Sequence, residues 1–119
     1  MSDGTPEVKV TPEGPDAATL EQLKQTHGKI FAAVYNDNEA YYFRRLRRQE
    51  YRLIQESLEK ADPKIIGMLH DEKVVAAAVV WPNITPEWLS TSAAGIIPTL
   101  AVNVLDKSGF TNNVEVKEV

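Results

Sequence analysis

The sequence predicts a mainly α-helical domain with a small β-hairpin, an α+β fold of about four helices. Two β-prone runs flank an Asn/Asp-rich turn at residues 36–39, which is typical of a hairpin. Apolar residues then recur at helical spacing after residue 47, and proline and glycine mark helix starts and ends near residues 86 and 109. A chain of 119 residues with 43% hydrophobic content fits one compact domain with one modest core.

The overall charge and the cysteine content exclude several classes of function. The net charge of −4 provides no general attraction to nucleic acid or to an anionic membrane. The absence of cysteine excludes disulfides, thiolate metal sites and thiol nucleophiles. The longest apolar run, residues 74–81, is far shorter than the ~20 residues that span a bilayer. We therefore expect a soluble protein that makes no use of a membrane.

Polar segments flank the predicted domain on both sides. Residues 1–17 are rich in Pro, Gly, Asp and Glu and predict a flexible N-terminal arm, because such a segment buries too little to offset its ordering entropy. Its two sizeable apolar residues, Val8 and Val10, could instead add an extended strand to another subunit. The single domain then covers residues 18–110, and residues 111–119 form a tail that is either an edge strand or disordered.

The first ordered elements are a short helix and the hairpin. The helix should run from residue 17 or 18 to residue 26, with Asp16 or Thr19 as its cap and Gly28 just past its end. The hairpin should lie near residues 29–45. Because a lone hairpin is marginally stable in water, its apolar face must pack against the helices.

A second helix is predicted over residues 47–61, since one of its faces is apolar at helical spacing: Tyr51, Ile54, Leu58 and Ala61. Asp62-Pro63 should end it and start a third helix over residues 64–80, with Asp62 as the cap. The run at residues 74–81 is apolar on every side. Its valines favour a strand, but its alanines and its continuous length favour a buried helix, which is our prediction.

The last third of the domain carries two further helix signals. Thr85 is a capping residue before Pro86, which favours a short helix there. The final helix should begin near Gly95, because Pro98 is tolerated only in a first turn. Gly109 in a left-handed conformation should close that helix, with Phe110 folding back. The predicted buried stripe consists of Ile97, Leu100, Ala101, Val104 and Leu105.

Residue types and spacings predict no catalytic site, no metal site and no cofactor. The two histidines, His27 and His70, lack the spacing of metal ligands. No Gly-x-Ser-x-Gly motif surrounds a serine, and the scattered glycines form no phosphate-binding loop. Glu56 and Glu59 lie on a helix face that should be solvated, so the pair is not expected to act in acid–base catalysis.

One charged feature rises above this background, a basic cluster near the end of the hairpin. It is interleaved with aromatic residues, a mixture found on nucleic-acid-binding surfaces, but the acidic balance of the chain disfavours a polyanion. The cluster is therefore either a solvated face or a docking patch for an acidic protein surface. Its members are Arg44, Arg45, Arg47, Arg48 and Arg52.

The order of the motifs resembles that of small tail assembly proteins of bacteriophages. An aromatic-Arg strand, Tyr41-Tyr42-Phe43-Arg44, precedes the helix beginning Arg48-Gln49-Glu50-Tyr51. An apolar segment then ends in Trp81-Pro82, and the last helix ends at Ser108-Gly109-Phe110. The resemblance covers residues 28–110. The Pro-rich arm departs from the family pattern, and so does Trp81, where an aliphatic residue or Tyr is commoner.

This resemblance implies a non-enzymatic protein that acts through contact with other tail proteins. One role is a tail assembly chaperone, which holds tube or tape-measure subunits in the host cytoplasm before assembly. The other is a small baseplate or tail component that stays in the virion. Interface energy concentrates in Trp, Tyr and Arg. The predicted partner-binding residues are accordingly Tyr42, Trp88 and the basic cluster, with Val8 and Val10 of the arm. The leading alternative is a nucleic-acid-binding accessory protein that uses the basic cluster.

Overall fold

The computed structural model describes residues 14–35, 39–110 and 115–119. In these ranges the chain forms five α-helices and one three-stranded antiparallel sheet. The predicted α+β class is therefore confirmed. No helix within the described ranges is both long enough and apolar enough to cross a membrane.

Helix α1 spans Ala17–His27; of the two predicted N-cap candidates Asp16 is the cap, and Gly28 follows the helix as predicted. The Asp16 carboxylate accepts a hydrogen bond of 2.7 Å from the Thr19 backbone N–H, which lowers the pKa of Asp16. Gly28 follows the helix with a φ of 83°, a conformation that favours glycine. None of the residues of α1 is buried.

The predicted hairpin is present as strands β1, Ile30–Tyr35, and β2, Glu39–Arg44. Phe31 lies opposite Phe43 across the pair, and their rings stack with centroids 5.5 Å apart. The turn residues 36–38 lie outside the described residues. Alternation along β2 directs Tyr41 and Phe43 into the main core.

Helix α2 spans Arg48–Ser57, which is shorter than the predicted 47–61. Its last turn tightens, because the backbone N–H groups of Leu58 and Glu59 bond to carbonyls three residues back. Ile54 and Leu58 are buried as predicted, while Tyr51 and Ala61 are half-buried at the edge of the same face.

The prediction of a third helix over residues 64–80 was wrong at both ends. Helix α3 spans Ile66–Ala78. Asp62 is not its cap. Instead the Asp62 side chain accepts from the Lys64 N–H and the Asp62 carbonyl from the Ile65 N–H, which forms a turn before the helix.

The end of the same segment is strand β3, Val79–Trp81, rather than helix. It pairs antiparallel with β2, with Tyr42 opposite Trp81 and Phe43 opposite Val79. The physical reason is the open edge of β2. Val79 and Trp81 satisfy its backbone groups and place β-branched and aromatic side chains across from Phe43 and Tyr42.

Helices α4, Pro86–Thr91, and α5, Ile96–Lys107, follow where they were predicted. The Thr85 hydroxyl caps α4 by accepting from the Trp88 N–H at 3.1 Å. Beyond α5, Gly109 has a φ of 103° and the Phe110 N–H returns to the Leu105 carbonyl. Both features agree with the predicted helix end.

The core lies between the sheet and helices α2, α3 and α5. Its fully buried side chains are Val74, Val75, Leu100 and Val104. The predicted stripe of α5 is buried except for Leu105, which is only half-buried because it lies at the edge of the core.

Candidate functional site

Tyr42, a predicted partner-binding residue, lies within the packed sheet. Its side chain is 8% exposed, and its ring meets the edge of Trp81 at a centroid distance of 5.9 Å. Burial raises the pKa of the Tyr42 hydroxyl. Little of this ring is therefore accessible to a partner.

Trp88 is half-buried against the core on the other face of the sheet. Its ring contacts Tyr41 edge-on, with centroids 5.4 Å apart. Burial raises the pKa of Tyr41 to about 12, and the hydrogen bond that Tyr41 donates to Glu39 contributes to the shift. The main observed contacts of Trp88 thus hold α4 on the sheet.

Arg44 has a structural role within the basic cluster. Its guanidinium forms a bidentate ion pair with Glu50, at 2.9 and 2.8 Å, and also donates to the Ala77 carbonyl at 3.0 Å. These bonds tie β2 to α2 and α3. The hydrogen bonds from Arg44 hold the pKa of Glu50 below its usual range, against the opposing effect of burial.

Arg45 joins the hairpin to the end of α5. Its Nε donates to the Lys107 carbonyl at 2.9 Å, and the next residue, Leu46, donates its N–H to the Ser108 hydroxyl at 2.8 Å. Ser108 donates in turn to the Val104 carbonyl. The link between β2 and α2 is therefore hydrogen-bonded to the end of α5, although the bonded residues are 62 positions apart in the sequence.

The other three arginines of the cluster are exposed: Arg47, Arg48 and Arg52. Among the described residues, the ion pairs within 4.0 Å involve Arg44, His70 and Lys117, so none of these three arginines is paired. Arg48 and Arg52 are four residues apart on α2 and lie on the same face of that helix. Within the described ranges, Arg48 and Arg52 therefore present exposed guanidinium groups with no acidic side chain within 4.0 Å.

Two adjoining pockets, of about 470 and 560 Å³, run along this junction. They share Leu46, Arg47, Ser108 and Gly109, and we call the pair the basic groove. One end is lined by Arg48, Arg52, Tyr51, Gln55 and Phe110, and the other by His27, Gly28, Lys29, Arg44 and Arg45. Within the described part of the chain, no Asp or Glu lines the basic groove.

An aromatic wall closes the α2 end of the basic groove. Phe110 is 56% exposed, and its ring lies 4.9 Å from the ring of Tyr51 between centroids. The Tyr51 hydroxyl is 2.8 Å from His70 Nε2, and His70 Nδ1 is 3.0 Å from Asp71 Oδ1. These hydrogen bonds fix the orientation of the Tyr51 side chain. Among the described residues, no three His, Cys, Asp or Glu side chains gather as metal ligands.

The sequence identified the arginines but missed the other half of the groove. Lys29, Ser108, Gly109 and Phe110 come from distant parts of the chain, and the last three were interpreted only as a helix end. A helix-end signal depends only on neighbouring residues in the sequence, so it does not indicate which distant residues the helix end will contact. The predicted arm residues Val8 and Val10 lie outside the described residues.

Comparison with known proteins identified no relative of this chain. No protein family matches the sequence, and neither a curated protein nor a solved structure shows significant similarity to the chain.

Proposed function

We propose that this protein is a non-enzymatic component of phage tail morphogenesis that acts by protein–protein contact. Its role is that of a tail assembly chaperone or of a small baseplate or tail component. The partner is another tail protein, a tube, tape-measure or baseplate subunit, which presents an acidic surface to the basic groove. The order of the sequence motifs supports a role in phage tails. Docking through the basic groove is supported by one observation, that no described Asp or Glu lines it.

The charge distribution favours an acidic partner. The chain has a net charge of −4, yet the groove gathers Lys29, Arg45, Arg47, Arg48 and Arg52 without an acidic residue among its described lining. Such segregation steers a negatively charged surface to one face of a protein and increases the association rate.

The groove also has the composition of an interface. Arginine and aromatic residues are enriched in the cores of interfaces, where they contribute most of the binding energy. Phe110 offers an exposed apolar ring beside Tyr51, next to the guanidinium groups of α2. An acidic partner segment that also carries an apolar side chain would match both parts of the surface.

Charge reversal of Arg48 and Arg52 tests the proposal. Both are exposed and unpaired in the described structure, whereas Arg45 bonds to the Lys107 carbonyl and would disturb the fold. With purified tail tube, tape-measure and baseplate proteins, we expect Arg48→Glu/Arg52→Glu to slow association strongly at low salt and less at high salt. The matched control is Lys60→Glu, an exposed reversal outside the groove. Equal rates for the double variant and the wild type would refute the docking mode.

The same variants test the nucleic-acid alternative, which the arginines and the aromatic wall also favour. Bases stack on exposed aromatic rings, and arginines neutralise phosphates. If the groove binds nucleic acid, the double variant should lose affinity for DNA or RNA of any sequence, and the salt dependence of binding should flatten. Circular dichroism of each variant checks that the fold survives.

A further inference from the structure

A second surface of the molecule combines acidic with apolar side chains. It is a pocket of about 480 Å³ between α3, α4 and α5, and we call it the acidic pocket. Its apolar lining includes Ile97, which is buried, and Met68, which is 56% exposed. Asp71 and Glu72 supply the carboxylates, and no described Lys, Arg or His lines the pocket. Asp71 bonds to His70, whereas Glu72 forms no ion pair within 4.0 Å among the described residues.

The basic groove carries the complementary features. Arg44 in its lining is already paired with Glu50, so this arginine is not offered to a partner. Arg48 and Arg52 are exposed and have no such pair in the described ranges. Phe110 lies at the same end of the groove and is 56% exposed. Two cations beside an exposed aromatic ring therefore match the carboxylates and the apolar lining of the acidic pocket.

The two surfaces lie on opposite sides of α3. Ile66 and His70 are four residues apart and share one face of the helix, where they line a pocket together with Tyr51 of the basic groove. Met68 and Glu72 are also four residues apart and line the acidic pocket. Two positions along a helix correspond to a rotation of ~200°, so the two pairs point in nearly opposite directions. The groove of one copy therefore faces away from its own acidic pocket and is free to meet that of a second copy.

We propose that a second copy of this chain docks its acidic pocket onto the basic groove, so that the free protein self-associates head to tail. This inference rests on the proposed function, since it gives the same groove a second acidic partner. Phe110 of one copy enters the acidic pocket of the next, and Arg48 and Arg52 face the carboxylates there. Because the two contacting surfaces differ, the interface is heterologous, and its repetition closes a ring or extends a chain. The tail partner then competes with this contact.

Sedimentation velocity of the full chain at increasing concentration tests the proposal. At low salt the wild type should form species larger than a monomer. This association should weaken near 1 M salt, where the Debye length falls to about 3 Å. The groove variant Arg48→Glu/Arg52→Glu and the pocket variant Met68→Lys/Glu72→Lys should each sediment as a monomer at concentrations where the wild type associates. Phe110→Ala, which removes the exposed ring without changing a charge, should also reduce association.

An equimolar mixture of the groove variant and the pocket variant identifies the two contacting surfaces. The first variant keeps an intact acidic pocket and the second an intact groove, so the mixture should form complexes although neither variant associates alone. With isotope-labelled pocket variant, addition of unlabelled groove variant should shift the amide NMR signals of Gly109 and Phe110. Lys60→Glu and Glu21→Lys reverse exposed charges outside both surfaces and should associate like the wild type.

Several outcomes would overturn the inference. They are a wild type that stays monomeric at millimolar concentration, a groove or pocket variant that associates like the wild type, and a mixture of the two that remains monomeric. Circular dichroism and amide spectra of each variant check that the fold survives. Loss of association in a variant with a native spectrum then reports on the interface and not on unfolding.

The partner assay separates this inference from the proposed function. If self-association is absent while reversal of Arg48 and Arg52 still slows association with the tail partner, the head-to-tail inference fails alone. Should self-association depend on these arginines while tail-partner association does not, the proposed docking mode fails instead. If both hold, the pocket variant should bind the tail partner more tightly than the wild type, because its copies no longer compete for the groove.

Discussion

At the scale of single residues, Glu50 links Arg44 of β2 to the start of α2. Its carboxylate accepts two hydrogen bonds from Arg44 and one from the Arg47 backbone N–H at 2.8 Å. The last of these satisfies a backbone donor at the start of α2, and the acid also lies near the positive end of the helix dipole. One side chain thus caps a helix and fixes the guanidinium that bridges β2 and α3.

We expect Glu50→Gln to lower the free energy of unfolding by ~1–3 kcal/mol at neutral pH. The reason is that charge-assisted hydrogen bonds are replaced by weaker neutral ones and the buried part of Arg44 loses its counter-charge. Urea unfolding measures the loss. Glu56→Gln, on the exposed face of the same helix, is the control and should stay within ~0.5 kcal/mol of the wild type.

The pH dependence of stability should change in the same variant. Arg44 holds the folded-state pKa of Glu50 below its ordinary value of 4.5, so the unfolded chain takes up this proton first as the pH falls. The stabilisation is therefore fully present above that ordinary value and is lost as the pH falls through the lowered pKa. Between about pH 6 and pH 3, the free energy of unfolding should fall less steeply with decreasing pH in Glu50→Gln than in the wild type, as measured by unfolding curves at each pH. Parallel curves for both proteins would contradict this assignment.

At the scale of elements, the end of α5 builds part of the groove as well as ending a helix. Ser108 accepts from Leu46 and donates to Val104, and Gly109 then turns the chain so that Phe110 lies against Tyr51. The φ of 103° at Gly109 is a backbone conformation that side chains with a Cβ rarely adopt. The helix end and the aromatic wall therefore depend on the same glycine.

Gly109→Ala should destabilise the protein by ~1–2 kcal/mol, because a Cβ at positive φ is strained. It should also shift Phe110 away from Tyr51, which the ring signals in NMR spectra would report. The matched control is Gly67→Ala in α3. There an added Cβ meets nothing within 4 Å, and replacing a helical glycine by alanine should stabilise by ~0.4–1 kcal/mol. Thermal unfolding of both variants measures the two opposite shifts.

At the scale of the whole molecule, one core and one charged face organise the protein. The core joins the sheet to α2, α3 and α5, and Leu100 lies fully buried within it. The basic groove lies where the hairpin, α2 and the end of α5 meet, at the edge of that core. Packing of the core therefore sets the positions of the groove cations, although none of them is in the core.

Leu100→Ala should lower the free energy of unfolding by ~2–5 kcal/mol, because it leaves a cavity in a fully buried site. Leu105→Ala should cost less, since Leu105 is half-buried and solvent can fill the space. Leu53, which is 58% exposed, provides the control, and Leu53→Ala should stay within ~0.5 kcal/mol of the wild type. If Leu100→Ala and Leu53→Ala lowered the free energy of unfolding equally in chemical denaturation, Leu100 would not lie in the core as described.

Local chemistry made most of the elements predictable from the sequence. The Thr85-Pro86 start and the Gly109 stop were predicted correctly, and Asp16 was one of the two predicted caps of α1, because each signal depends on residues within one turn of chain. The hairpin was also predicted from two β-prone runs and the polar residues between them. The apolar face of α2 follows from helical spacing, so the burial of Ile54 was predictable as well.

Only the tertiary structure decided the conformation of residues 79–81 and the roles of the arginines. An evenly apolar run has no periodicity, so whether Val79 continues a helix or forms a strand depends on the open edge of β2. Five arginines look alike in sequence. Arg44 is structural because Glu50 and Ala77 surround it, whereas Arg48 and Arg52 face the groove unpaired in the described structure. That difference arises from contacts between residues far apart in the chain, which no local pattern records.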